Sequence, residues 1–117
     1  PKIIKDLLNK KCEPCEGGVL PFDISEIHKF QKKVDGWDVK KNTKQKYFLE
    51  KNFKFKNFER SKNFIDKVAE IAESENHHPE ITFGWGYAKI EITTHAIEGL
   101  SINDFILAAK VDQIVNA

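Results

Sequence analysis

Apolar and polar residues follow two different periods along this chain, one typical of helices and one typical of strands. Residues 23–26 form a capping pattern, and apolar Ile27, Phe30 and Val34 then recur at helical spacing. We therefore predict a short helix that begins after Asp23 and runs to about Val34, where an aspartate and a glycine end it.

Two hairpins are predicted where apolar and polar residues alternate with a period of two. The four predicted strands are residues 37–41, 46–55, 80–84 and 87–94. A polar turn at 41–44 joins the first pair, and Trp85-Gly86 joins the second pair. In the second strand, Lys51 interrupts a face that is otherwise apolar. In the fourth strand, one face is apolar and the other carries Lys89, Glu91, Thr93 and His95.

A longer helix is predicted from Asn57 to about Asn76, because apolar residues recur there as one stripe and Asn57 can cap the first turn. The helix should end near His77, since a residue that precedes a proline, here Pro79, is displaced from the α region. A capping box at residues 101–104 then predicts a last helix, which is rich in apolar residues.

The order helix, two strands, helix, two strands, helix predicts an α+β fold, with helices packed on one face of an antiparallel four-stranded sheet. We place a single domain at residues 23–117 and an N-terminal arm at residues 1–22. The length of 117 residues fits one domain. No apolar run approaches the ~20 residues of a membrane helix. The N-terminal stretch does not resemble a signal peptide, so we expect a cytoplasmic protein without a membrane partner.

Charge is spread unevenly, although the formal net charge is only +1. Residues 29–56 carry ten lysines and three acidic residues. A basic stretch with interleaved aromatic residues is one sign of nucleic-acid binding. Lysines that alternate with apolar residues more often form the solvent-facing side of a sheet, so we expect no nucleic-acid partner.

The two cysteines form one C-x-x-C, at Cys12 and Cys15. A structural zinc site normally has four ligands, and no second cysteine pair or nearby histidine completes this one. A thioredoxin-like motif would open a helix, whereas glycines and a proline follow here. Two packed thiols are therefore favoured over a redox or metal role.

Three of the four histidines lie at the end of a predicted helix or at the end of a predicted strand. His77 and His78 are adjacent and precede Pro79, Glu73 lies four residues before His77, and His95 ends a predicted strand. Acid–base catalysis, a three-histidine metal site, and helix capping with surface histidines are the three interpretations. Adjacent histidines rarely converge on one metal, so we expect none. We expect Glu73 to orient His77, because the two are one helical turn apart.

Several motifs together resemble the pterin-4a-carbinolamine dehydratases, and the similarity covers about residues 12–115. The matching pieces are Glu73-x-x-x-His77-His78-Pro79-Glu80, Thr94-His95, Gly99-Leu100-Ser101-x-x-Asp104, Cys12-x-Pro14-Cys15-x-Gly17-Gly18, Gly36-Trp37 and Gly84-Trp85-Gly86-Tyr87. The histidine doublet, the second histidine motif and the aspartate are specific as a set, whereas each piece alone is weak.

The resemblance implies a reaction. The family removes water from the 4a-hydroxytetrahydropterin that aromatic amino acid hydroxylases leave, and the product is a quinonoid dihydropterin. The resemblance implies a small-molecule pterin substrate, no cofactor and no metal. It also implies a homodimer or homotetramer and a functional link to a hydroxylase. A non-catalytic interaction module of the same fold, or a role in another pterin pathway such as that of molybdopterin, are the alternatives.

The resemblance also implies residue roles. His77, His78 and His95 would be the catalytic histidines. His78 and His95 would transfer protons, and His77, oriented by Glu73, would bind and polarise the pterin. Asp104 would orient His95, although its place in the capping box gives it a structural reason of its own. The substrate would contact His77, His78, Pro79, Thr94, His95, Ala96 and Ile97.

Overall fold

A computed structural model of the chain describes residues 20–34 and 36–116. The helices in these ranges are α1 (Ile24–Gln31), α2 (Phe58–Glu75) and α3 (Ile102–Asn116). The strands are β1 (Asp38–Lys41), β2 (Tyr47–Lys54), β3 (Glu80–Gly84) and β4 (Tyr87–Ile92), and a short 3-10 helix (His95–Ile97) follows β4. The predicted fold class and the predicted order of helices and strands are confirmed.

The four strands form one antiparallel sheet in the order β1-β2-β4-β3. Ala88, Ile90 and Ile92 of β4 are fully buried beneath the helices, and the residues that alternate with them face the other way. We call this second side, which carries Phe48, Glu50, Lys89, Glu91 and Thr93, the outer face of the sheet. Most residues on the outer face are polar, as the alternation of apolar and polar residues predicts.

The helix starts agree with their predicted caps. The side chain of Asp23 accepts a hydrogen bond from the Glu26 N–H at 2.8 Å, and the side chain of Asn57 accepts one from the Arg60 N–H at 2.9 Å. At the start of α3, the Asp104 carboxylate accepts a hydrogen bond from the Ser101 N–H at 2.8 Å, which is half of a capping box. These caps fix where α1, α2 and α3 begin.

Two ends differ from the predictions. Helix α1 stops at Gln31 rather than near Val34, because the Lys33 and Val34 N–H groups bond three residues back and tighten the last turn. Strand β4 stops at Ile92, and His95 begins the 3-10 helix instead of ending a strand. The chain then closes a small loop, since Thr94 pairs with Gly99 in an isolated bridge.

Lys51 is the polar residue on the covered side of β2, and the structure explains it. Its Nζ lies 2.8 Å from Oδ1 of Asp112 in α3, and the Trp37 indole N–H donates to Oδ2 of the same carboxylate at 3.0 Å. Its Nζ also lies 5.1 Å from the centroid of the Phe53 ring. A lysine in an apolar face is therefore paired and covered rather than exposed.

The N-terminal arm lies mostly outside the described residues, as do Cys12 and Cys15. At its described end, Phe22 stacks on Phe30 with ring centroids 5.1 Å apart, and its N–H donates to the Leu100 carbonyl at 2.8 Å. Phe22 therefore packs on the domain. In the described part of the chain, no helix combines the length and apolar character needed to cross a membrane.

Candidate active site

His77 is held by a buried carboxylate from a distant part of the chain. Its Nε2 lies 2.7 Å from Oδ1 of Asp104, which is 27 residues later in the sequence. The His77 side chain is 12% exposed and that of Asp104 is completely buried. A buried carboxylate requires hydrogen-bond partners, since the cost of removing it from water is otherwise large.

Asp104 has those partners. Besides His77, its carboxylate accepts hydrogen bonds from the Thr94 hydroxyl at 2.7 Å and from the Ser101 N–H at 2.8 Å. It also lies in the first turn of α3, where the helix dipole favours a negative charge. One side chain thereby connects the turn after α2, the turn after β4 and the start of α3.

His78 makes a different contact. Its Nε2 lies 2.6 Å from Oε1 of Glu73, and the two side chains are 55% and 79% exposed. An ion pair this exposed contributes little to stability. The contact can still hold the imidazole in one orientation.

Two predicted contacts are therefore wrong. Glu73 contacts His78 rather than His77, and Asp104 contacts His77 rather than His95. The reason is Asn76, which has φ 51° and ψ 40° and turns the chain out of the helix in a left-handed conformation. The residue after it leaves the helical face that Glu73 occupies, and the i, i+4 relation no longer applies.

His95 begins the 3-10 helix directly after the bridge at Thr94. Its side chain is exposed, and no other described residue binds its ring. A neutral imidazole without an internal partner can donate a proton through one ring nitrogen and accept one through the other.

His78 and His95 line the same pocket, which has a volume of about 420 Å³. The pocket lies against the outer face of the sheet. The rest of its lining is residues 41–43 at the β1–β2 turn, together with Phe48, Glu80, Glu91 and Thr93. Pockets of this size are typical of small-molecule sites. The two histidines can act on one small ligand here.

The other predicted site residues lie outside this lining. His77 is bound to Asp104 and is only 12% exposed, and Thr94 and Ile97 are buried. The Thr94 hydroxyl is engaged by Asp104. Pro79 and Ala96 are not part of the lining either. Direct contact of these residues with substrate stays a prediction.

No motif in the sequence predicts Phe48, the turn at 41–43, Glu91 or Thr93 as pocket residues. A usable signal was present, because alternation along β4 puts Glu91 and Thr93 on the same face as His95. Within the described ranges, no group of three metal-binding side chains converges. The arrangement supplies two proton-transfer groups, an aromatic ring and carboxylates around one cavity.

Comparison with known proteins gives a family match. A family model described as Pterin 4 alpha carbinolamine dehydratase matches residues 21–114. The chain is 41% identical over 111 residues to a Rubrobacter xylanophilus protein, covering 95% of this chain and 100% of the relative. It is 46% identical over 107 residues to a Rickettsia canadensis protein, covering 91% and 94%. Both relatives carry the name pterin-4-alpha-carbinolamine dehydratase in a form marked as provisional.

Two solved structures are similar. One is titled transcriptional coactivator/pterin dehydratase from Brucella melitensis, with 28% identity and a TM-score of 0.72, covering 80% of this chain and 97% of that one. The other is a pterin dehydratase-like protein identified as a RuBisCO assembly factor in the alpha-carboxysome. At 24% identity and a TM-score of 0.60, covering 70% and 92%, the second similarity shows the fold alone.

Proposed function

The chain belongs to the pterin 4 alpha carbinolamine dehydratase family, and from this premise we propose that it removes water from a 4a-hydroxytetrahydropterin to give the quinonoid dihydropterin. The observation that carries the proposal is the presence of His78 and His95 in one pocket. A proton donor and a proton acceptor that reach the same ligand are what this elimination needs.

In the proposed reaction, one imidazole gives a proton to the 4a-hydroxyl group, the carbon–oxygen bond breaks, and water leaves. The pterin ring loses one proton to the second imidazole, so the net change is the loss of one water molecule. No oxidant, reductant or metal enters this balance. Positioned acid–base groups typically contribute about 10²–10⁴-fold to such a step.

We assign His78 and His95 to the two proton transfers. Glu73 orients His78 through the 2.6 Å contact. For His77, a positioning role is favoured, because its Nε2 is bound to Asp104 and its side chain does not line the pocket. In this role, Asp104 and His77 hold the turn that presents His78.

The proposal extends to the cellular setting that the family resemblance implies. The protein would act on the pterin released by an aromatic amino acid hydroxylase, and it would form a homodimer or homotetramer. Light scattering on the purified protein measures the oligomer directly. If the protein acts in another pterin pathway, it should turn over a different pterin faster when several pterins are assayed one at a time.

The test is the dehydration rate of freshly generated 4a-hydroxytetrahydropterin, followed by ultraviolet absorbance. Wild type should accelerate the reaction, and His78→Ala and His95→Ala should each lose most of the acceleration while staying folded. His28→Ala is the matched control, because His28 is an exposed histidine on α1, outside the pocket. It should keep full activity.

The pH profile of the same reaction is a second readout. A histidine that accepts a proton must be neutral, and histidine is the side chain whose charge ordinarily changes between about pH 5 and 8. The rate should therefore fall as the pH is lowered through this range. A flat profile in folded protein, or no acceleration by wild type, would favour a non-catalytic interaction module.

A further inference from the structure

The pocket is lined by more than the two histidines, and part of its lining lies on the outer face of the sheet. There the lining includes Phe48 of β2 and Glu91 of β4. Phe48 is an aromatic ring on a face that is otherwise mostly polar. Glu91 is on a central strand, with Glu50 directly opposite on one neighbour and Glu80 directly opposite on the other.

This arrangement of carboxylates costs stability. Side chains directly opposite each other on antiparallel strands lie about 5 Å apart, and like charges at such positions repel. Two lysines offset part of the repulsion, since the Nζ atom of Lys40 lies 2.6 Å from Glu50 and that of Lys89 lies 3.2 Å from Glu91. The hydrogen bond to Glu50 raises the pKa of Lys40, so this lysine stays charged beside Glu50.

Glu91 retains free capacity to accept hydrogen bonds. Lys89 approaches Oε1 only, and no other described residue binds the second oxygen of the carboxylate. The side chain is 31% exposed, so part of it is accessible from the pocket. A carboxylate has about four acceptor positions on its two oxygens.

The proposed substrate has a matching group. A pterin is a flat ring system, and its pyrimidine ring carries a 2-amino group next to an N3–H, which makes two adjacent donors. A carboxylate pairs with two adjacent donors in a bidentate manner, as it does with arginine. The leaving hydroxyl is at the ring junction, apart from this pair of donors, so the donors can contact a carboxylate of the lining while the histidines act at the ring junction.

We propose that Glu91 determines specificity in this site by accepting hydrogen bonds from the 2-amino and N3–H groups of the pterin, while Phe48 packs against the ring. The inference rests on the proposed function, since it takes a tetrahydropterin as the substrate. Glu91 is a binding residue in this assignment, and proton transfer stays with the histidines. The favoured ligands are flat heterocycles with this pair of donors.

The first test compares Glu91→Gln with wild type. The amide keeps the size of the side chain and removes the charge, and it replaces one acceptor oxygen with a donor. The KM for the 4a-hydroxytetrahydropterin, and the Kd for 7,8-dihydropterin measured by titration, should rise roughly 10- to 100-fold, the range expected for a hydrogen bond to a charged group. The value of kcat should stay within about threefold, because the proton-transfer groups are unchanged.

Asp38→Asn is the matched control. Asp38 is directly opposite Glu50 in the same cross-strand row, but it does not line the pocket. The change removes the same unit of charge from the same face, so its KM and Kd should equal those of wild type. Equal effects of the two variants would assign the change to general electrostatics and overturn the proposal.

The second test replaces the ligand. The probe is 7,8-dihydropteridin-4-one, which lacks the 2-amino group. Wild type should bind it more weakly than 7,8-dihydropterin. Glu91→Gln should lose little further affinity for it, because the hydrogen bond between Glu91 and the 2-amino group is already absent. An equal loss for both ligands would show a structural role and overturn the proposal.

Failure of the inference differs from failure of the proposed function. Wild type that accelerates dehydration, with Glu91→Gln unchanged in KM, would overturn the role of Glu91 alone. Wild type that binds 7,8-dihydropterin through Glu91 but does not accelerate dehydration would support the role of Glu91 and overturn the dehydratase proposal. Wild type that neither binds nor accelerates would overturn both. Thermal unfolding checks the fold of each variant.

Discussion

The adjacent histidines His77 and His78 occupy different environments because the chain turns between α2 and Pro79. His77 points inward to the buried carboxylate of Asp104, and His78 points outward to the exposed carboxylate of Glu73. Sequence alone does not separate the two, since both are histidines before a proline. The two differ in burial: the buried contact of His77 is structural, and the exposed contact of His78 lies beside the pocket.

This difference predicts opposite effects on stability and activity. His77→Ala should reduce the free energy of unfolding by about 1–3 kcal/mol, because it leaves one oxygen of a buried carboxylate without its partner. His78→Ala should change it by less than about 0.5 kcal/mol, because the pair that it removes is exposed. Urea unfolding, followed by circular dichroism, measures both values.

The two variants should rank in the opposite order when the loss of dehydration rate is compared with the loss in the free energy of unfolding. His78→Ala should lose most of the dehydration rate with little change in unfolding, whereas any loss in His77→Ala should be accompanied by destabilisation. If His77→Ala unfolds like wild type, then its contact with Asp104 does not hold the turn. The positioning role of His77 would then be wrong.

The turn after α2 determines which direction each histidine takes. Asn76 has a positive φ, and the His77 N–H donates to the Ala72 carbonyl at 3.1 Å, the pattern of a Schellman cap. The sequence predicted the end of this helix from Pro79. The proline fits the location, but the left-handed residue three positions earlier redirects the chain.

Asn76→Gly and Asn76→Val test this cause. Glycine adopts a positive φ freely, so Asn76→Gly should unfold like wild type and keep its activity. A β-branched valine is strained in this conformation and should cost about 1–2 kcal/mol. The folded fraction of Asn76→Val should also have a lower dehydration rate, because His77 and His78 shift together. Equal stabilities in urea for the two variants would contradict the assigned cause.

Local patterns predicted most of the secondary structure, and they did so for a physical reason. Alternation, caps such as Asn57, and a hairpin turn at Trp85-Gly86 depend on residues close in sequence, and the strands and helix starts were confirmed within a few residues. The histidine contacts depend on residues far apart. His77 meets Asp104 only because α3 packs beside the end of α2, and no periodicity encodes that distance.

Packing between the sheet and α3 brings the remote parts of the chain together. Helix α3 is buried along most of its length, and it is the helix that supplies Asp104 to the site and Asp112 to the sheet. The lysine in the apolar face of β2 was unexplained by its own strand pattern. Its partner is 61 residues later, on α3. A polar residue at an apolar position thus marks a long-range contact.

Asp112→Ala should therefore weaken the whole fold rather than one element. It removes the carboxylate that binds both the Lys51 ammonium and the Trp37 indole N–H, and the two side chains of the ion pair are only 20% and 13% exposed. Removing one partner of a largely buried ion pair is destabilising, so we expect a loss of about 2–4 kcal/mol in the free energy of unfolding. Fluorescence of the tryptophans and circular dichroism should report one common transition, since sheet and helix unfold together.

Asp66→Ala provides the matched control for that loss. Asp66 forms an exposed pair with Lys62 at 2.9 Å within α2, so its removal should leave the urea midpoint unchanged. If Asp112→Ala also leaves the midpoint unchanged, the contact between Lys51 and Asp112 does not stabilise the packing of β2 against α3. If the fluorescence of Trp37 changes before the circular dichroism does, the sheet and α3 separate locally, and Asp104 would move away from His77 in the same step.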